Sequence, residues 1–243
     1  MKKFTVLTGA LISLLVCSAP ARAQAPDAIQ AYQQTAGARS ILFRGKQAAN
    51  YTFAFNGTPF LDDGSYMVGD ITFEGNVYYG ISFKINAHTQ RAHVKLATTP
   101  LSVEIAPGRL SAIETGDRRF EGFGPDAALP EGFYEVFGTG TGTERIYKLV
   151  RKELSSSLTD VNGDQIGYND PNYRENVFQY FSFRTFYYFR DAEGQIKRIK
   201  SIGALIRQFQ ERKRELRRAV NQAGYGRKRF DDACRLILNL TSR

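Results

Sequence analysis

Between Val77 and Ile85 the chain alternates. Val77, Tyr79, Ile81, Phe83 and Ile85 fall on one side of an extended backbone, and Tyr78, Gly80, Ser82 and Lys84 on the other. A period of two with one apolar side predicts a half-buried strand. The segment before it, Tyr66 to Phe73, ends with Ile71 and Phe73 on one face, and Glu74-Gly75-Asn76 supplies a tight reversal, so the two form a hairpin. The alternation recurs in Ala92, Val94 and Leu96, then, past a corner at Pro100, in Leu101, Val103 and Ile105. Further extended segments are Leu110–Glu114, Arg119–Phe123, Gly132–Phe137, Glu144–Glu153 and Tyr180–Phe189. Many short strands with turns between them predict an antiparallel meander, a curled sheet or a barrel.

Tyr180–Phe189 is apolar on both faces: Phe181, Phe183, Tyr187 and Phe189 share one, and Tyr180, Phe186 and Tyr188 with Arg184 the other. A central strand covered above and below needs that pattern. The same residues, Phe181, Phe183, Tyr187 and Phe189, are the candidate floor of a groove for an apolar or sugar ligand. Residues 154–176 between the last two strands are polar and read as a long loop. Within it Asp160-Val-Asn-Gly-Asp164 has calcium-loop composition, but Gly163 stands fourth rather than sixth and Pro171 replaces the twelfth-position Glu.

After Gln195 the period changes to that of a helix. Ile202, Leu205, Ile206, Phe209, Leu216, Val220 and Ala223 form a stripe, with Arg207, Arg214, Arg217 and Arg218 mostly off it. Gly224 and Gly226 end that helix, and a second begins near Arg229 with Phe230, Cys234, Ile237 and Leu238 on one side. The stripe either docks on the sheet over Tyr180–Phe189 or lies in a membrane interface; a curved sheet needs a lid, which favours docking. The expected architecture is α+β, a sheet-rich section at 24–194 followed by a basic section of two helices at 195–243 that packs on it.

At the start, Lys2 and Lys3 precede an apolar run from Phe4 to Val16, and Pro20 and Ala21-Arg22-Ala23 follow. That is the order of a secretory signal, residues 1–23, with cleavage between Ala23 and Gln24. Val16 does not match the small residue that precedes a lipidated cysteine, so Cys17 reads as part of the signal. The remainder carries no transmembrane helix and a single cysteine, Cys234, so no internal disulfide framework is expected.

Composition changes the picture through charge. The 243 residues are 42% hydrophobic and 13% aromatic, enough for a packed core, and the net charge is +9. Residues 24–194 hold 16 basic and 20 acidic side chains; residues 195–243 hold 14 and 4. A cationic tail on an exported chain points to an envelope protein, a glycan or an anionic lipid surface as partner, with Arg207, Arg214, Arg217 and Arg218 as candidate contacts, and away from nucleic acid.

Catalytic and cofactor motifs are missing. His88 and His93 are the two histidines, neither at metal-ligand spacing with Cys234, and both read as satisfied surface residues. There is no Gly-x-Ser-x-Gly elbow, and Asp231-Asp232 sits where a helix dipole accounts for it. Gly138-Thr-Gly-Thr-Gly142 precedes a strand rather than a helix, so it reads as a hairpin tip and not a phosphate cradle. No cofactor is expected. A hydrolase stays open only if acids from separate strands converge, with Glu104 or Glu135 close to His93 as the sign of it.

Gly64-Ser-Tyr-Met-Val-Gly-Asp-Ile-Thr-Phe-Glu-Gly-Asn-Val-Tyr-Tyr-Gly-Ile81, followed by Glu131-Gly-Phe-Tyr-Glu135 and Ile146-Tyr-Lys148, resembles an uncharacterised family of exported proteins from the Bacteroidota. Phe83-Lys84 departs from the Tyr-Asp of that pattern. The resemblance implies export and an envelope location and carries no catalytic residues. The function expected is therefore that of a noncatalytic envelope protein that binds a partner, with a carrier of a small apolar ligand as the alternative.

Overall fold

A computed structural model describes residues 40–52, 55–95, 101–138, 143–157 and 178–242. Eleven strands make one antiparallel sheet: β1 Lys46–Gln47, β2 Met67–Phe73, β3 Asn76–Asn86, β4 Arg91–Lys95, β5 Ser102–Ile105, β6 Leu110–Thr115, β7 Arg118–Phe123, β8 Gly132–Phe137, β9 Arg145–Ser157, β10 Phe178–Arg190 and β11 Ile196–Ile199. Their spatial order is β1-β5-β4-β3-β2-β6-β7-β8-β9-β10-β11. Three helices follow, α1 Ile202–Ile206, α2 Lys213–Gln222 and α3 Phe230–Thr241. This is the expected α+β architecture, with the sheet curled and not closed into a barrel.

The curl is visible in contacts between strands that are not neighbours. Lys152 N on β9 donates to Ala87 O at the end of β3, although four strands separate them. The buried Gln90 side chain reinforces this: its Nε2 donates to Ala87 O and Val150 O, and its Oε1 accepts from Phe133 N. One face thereby becomes an interior. Ile71, Phe73, Phe83, Ile85, Val94, Ile105, Leu110, Ile113, Phe120 and Phe133 pack there against one another. Further along the same face the helices supply the cover. Phe137, Ile146, Phe189 and Ile199 are buried there under Leu205, Ile206, Leu216, Val220, Cys234, Ile237 and Leu238 of the helices. On the opposite face Tyr134, Val136, Tyr147 and Leu149 pack under Leu129. All six residues of β8 are consequently buried.

Four local readings change. The phase of β3 is inverted at its start: Tyr78 is buried and Val77 exposed, although Phe83 and Ile85 face the core as expected. The register shifts because Gly69 pairs with Ile81 but Ile71 with Tyr78, leaving an extra residue on β3. Gly80, at φ +62° and with its N–H on Asp70 Oδ1, forms this bulge, which swaps the faces on either side of it. Residues 154–157, read as loop, are strand, since β9 and β10 pair without a break from Arg145↔Arg190 to Ser157↔Phe178.

The apolar stripe after Gln195 is carried by two helices rather than one, preceded by the short strand β11. A continuous helix would turn Arg212 into the helix layer. The break lets it bond the Leu240 carbonyl and Glu215 instead. Finally His93 is buried, not at the surface; only His88 is exposed, with Nδ1 at 3.0 Å from Lys152 O. The signal with its Ala23–Gln24 junction, the Pro100 corner, residues 160–171 and most of the Gly138–Gly142 tip lie outside the described residues.

Candidate functional site

The two packed regions of the interior face meet at a charged seam. β8 places Glu135 on that face between Phe133 and Phe137, and its strand partners are Phe120 on β7 and Lys148 on β9. Glu135 is only 7% exposed, and three cations converge on it: Arg118 Nε at 3.2 Å, Arg235 Nη2 at 3.4 Å and Lys148 Nζ at 3.5 Å. Arg118 also holds Asp62 at 2.7 Å, and Arg235 reaches Asp117 at 3.3 Å. Lys148 donates to Asp231 at the start of α3, and the Tyr187 hydroxyl donates to the other oxygen of the same carboxylate at 2.7 Å. The Tyr187 ring lies 4.2 Å from that of Phe230. Burial, then the bond to Asp231, pushes the Tyr187 hydroxyl well above its ordinary pKa.

Beside the seam is a narrow cleft, partly open to solvent and with room for about one water molecule, lined by Leu61, Ile85, Ala87, Phe120, Phe133, Glu135, Lys148 and Val150. Its polar groups are already paired with one another. The ion cluster therefore fixes how α3 sits on the sheet, and none of its members is poised as a base toward a free nucleophile. Burial raises the thiol pKa of Cys234, with Asp231 adding to it, which leaves that cysteine an inert part of the core. Among the described residues no three His, Cys, Asp or Glu side chains gather to hold a metal.

A second polar row crosses the opposite face of the sheet. The register aligns Lys84, His93, Glu104 and Lys46 on four neighbouring strands. His93 is 2% exposed, with Nε2 3.6 Å from Glu104 Oε1 and no hydrogen-bond partner among the described residues. Phe60 covers the imidazole edge-on at 5.1 Å. Burial, opposed by Glu104 and aided by Lys84, pushes the His93 pKa down to about 4, so the ring is neutral at neutral pH. Glu104 and His93 do converge, as a hydrolase would require, but the pair lies under Phe60 and His93 donates to no serine or cysteine hydroxyl or thiol among the described residues.

The candidate surface and groove residues fall as follows. Arg207, Arg214, Arg217 and Arg218 are all exposed, and none makes an ion pair or side-chain hydrogen bond among the described residues, whereas Arg212, Arg229 and Arg235 each hold an acid. Arg214, Arg217 and Arg218 are spaced i, i+3, i+4 and share one face of α2. Phe181, Phe183, Tyr187 and Phe189 share a face of β10 yet have different surroundings. Phe181 meets Tyr51, Phe55 and His88 at ring distances of 5.0–5.6 Å. Phe183 is 68% exposed. Tyr187 belongs to the seam, and Phe189 is buried against Phe209.

Sequence reasoning missed the seam. One signal was present, a lone Glu135 within the otherwise apolar Gly132–Phe137, since a charge in a doubly covered strand must find partners. Compared with protein-family models, curated proteins and solved structures, the chain gives no match to any of the three.

Proposed function

We propose that the protein is exported and acts at the cell envelope without chemistry of its own, holding to an anionic lipid surface through the arginine face of its helices. The observation that carries this is the set of four exposed arginines, Arg207, Arg214, Arg217 and Arg218, that have no acid partner among the described residues, in a section where Arg212, Arg229 and Arg235 are matched with acids. The apolar stripe of the same helices is spent on Phe189 and Ile199, so contact would be peripheral and electrostatic, with no buried hydrophobic anchor. Export rests on Lys2-Lys3, the apolar run to Val16 and Ala21-Arg22-Ala23, and agrees with the Bacteroidota resemblance.

Each basic side chain near an anionic bilayer contributes about 1 kcal/mol, so removing three weakens binding roughly a hundredfold. The test is sedimentation of the chain from Gln24 onward with phosphatidylglycerol vesicles, at low and high salt, beside a triple variant with Arg214, Arg217 and Arg218 changed to Gln. Salt-sensitive binding that the variant loses is expected. Equal binding to phosphatidylcholine vesicles, or an unaffected variant, overturns the proposal. Amino-terminal sequencing of secreted material checks the junction before Gln24.

The alternative of an apolar-ligand carrier draws on the exposed Phe183. Small molecules retained in native mass spectra of the purified protein would support it.

A further inference from the structure

Residues 58–64 cross the end of β3 where β2 no longer covers it. Phe60 bridges Asn86 in antiparallel register, Leu61 N donates to Ile85 O at 2.7 Å, and Pro59 O accepts from both Ala87 N and His88 N. Extended backbone sends successive side chains to opposite faces. Phe60 therefore seats on His93 on the outer face, with Lys84 Nζ 3.8 Å from its ring centre. Leu61 goes through to the interior face and forms a wall of the cleft beside Phe120, Phe133 and Glu135. The segment is tied down from the inside by Lys152 Nζ on the carbonyls of Thr58 and Phe60 and by Asp62 on Arg118.

Beneath Phe60, the Nε2 of His93 has no hydrogen-bond partner among the described residues. A neutral imidazole tolerates this, because a ring nitrogen that carries no proton loses one acceptor bond at most. An imidazolium has two N–H donors and a charge, and needs water or full pairing. The groups facing it are Lys84 from β3, Glu104 from β5 and Lys46 from β1, and Glu104 is shared with Lys46 at 3.9 Å. Lys84 repels the imidazolium, Glu104 is too far to accept a hydrogen bond, and Phe60 excludes the water that would hydrate the charge.

We propose that residues 58–64 form an acid-released latch in which protonation of His93 displaces Phe60 and, through the same stretch of backbone, withdraws Leu61 from the cleft. The latch couples the outer face to the interior cleft. It does not depend on the arginine face binding anything.

Hydrogen exchange followed by mass spectrometry, corrected for the intrinsic pH dependence of exchange, tests it on the chain from Gln24 onward. Between pH 7 and pH 4 the protection of peptides covering Leu61, Ala87 and His88 should fall at least tenfold, while that of Gly132–Phe137 is held. His93→Gln should abolish the fall. An unchanged latch, a fall shared equally by Gly132–Phe137, or a fall that persists in His93→Gln each overturns the proposal, the last because Asp62 or Glu104 would then be the trigger. A second variant, Phe60→Ala, removes the cover and leaves the histidine in place. Its His93 protonation midpoint, followed by imidazole nitrogen NMR, should rise toward the ordinary histidine value; a midpoint that stays low overturns the lid role of Phe60.

Discussion

At Gly80 the backbone adopts φ +62°, and the bulge it makes decides that Tyr78, and not Val77, enters the core. A Cβ there would meet no atom within 4 Å, so a substitution pays only the left-handed backbone cost. Gly80→Ala should lower stability by about 1 kcal/mol, a fall in Tm of roughly 2–4 °C by calorimetry. Gly122 is different: an added Cβ would lie 2.3 Å from the carbonyl oxygens of both Leu110 and Pro107, and Gly122→Ala should cost clearly more on the same scan. His93 governs the acid limb at this scale. Its folded pKa, about 4, lies below the ordinary value of 6.5, so the folded state favours the neutral ring. The stability this contributes is complete above pH 6.5 and is lost as pH falls toward 4, by up to about 3 kcal/mol. Urea midpoints at pH 7, 5 and 4 should show the loss in the wild-type chain and a flatter decline in His93→Gln.

Elements dock here through one buried carboxylate. Glu135 draws cations from β7, β9 and α3, and α3 answers through Asp231 to Lys148 and Tyr187. Removing it leaves Arg118, Lys148 and Arg235 facing one another. Glu135→Ala should therefore destabilise by about 2–4 kcal/mol in urea unfolding, the partial exposure of Arg235 keeping the cost below that of a fully enclosed pair. Glu114, whose pairing with Arg119 is at the surface, should cost no more than about 1 kcal/mol on truncation. On α2 the two faces should separate in the same experiment. Leu216 is fully buried, and Leu216→Ala should cost about 2–5 kcal/mol. Changing Arg214, Arg217 and Arg218 to Gln should each stay within about 0.5 kcal/mol, so that lost vesicle binding cannot be ascribed to unfolding.

For the whole molecule, the curl divides the labour of covering the sheet. From β2 to β8 the interior face closes on itself through Ala87, Gln90 and Lys152, whereas Phe137, Ile146, Phe189 and Ile199 depend on the helices. A chain stopped after Ser201 should keep the first region folded but expose those four side chains as a contiguous patch. Gel filtration should find it self-associated, while the full chain elutes without such aggregates.

Periodicity alone located nine of the strands, the apolar stripe of the helices and the exposed side of α2, because each depends on whether neighbouring positions alternate every two residues or every three to four. The arginines could be read because they lie off the apolar stripe, and a charge opposite the docking face of an amphipathic helix is turned to water. Tertiary structure decided the rest. The inverted start of β3 required knowing that Gly69 and Ile81 pair across a bulge, and the burial of His93 required Phe60, thirty-three positions earlier, to lie over it. Glu135, Arg118, Lys148, Asp231 and Arg235 are dispersed over more than a hundred residues, and only the curl of the sheet and the docking of α3 bring them within bonding distance. Local pattern records which side of an element is apolar; which charges meet depends on how distant elements are stacked, and that is set by the packing of the whole chain.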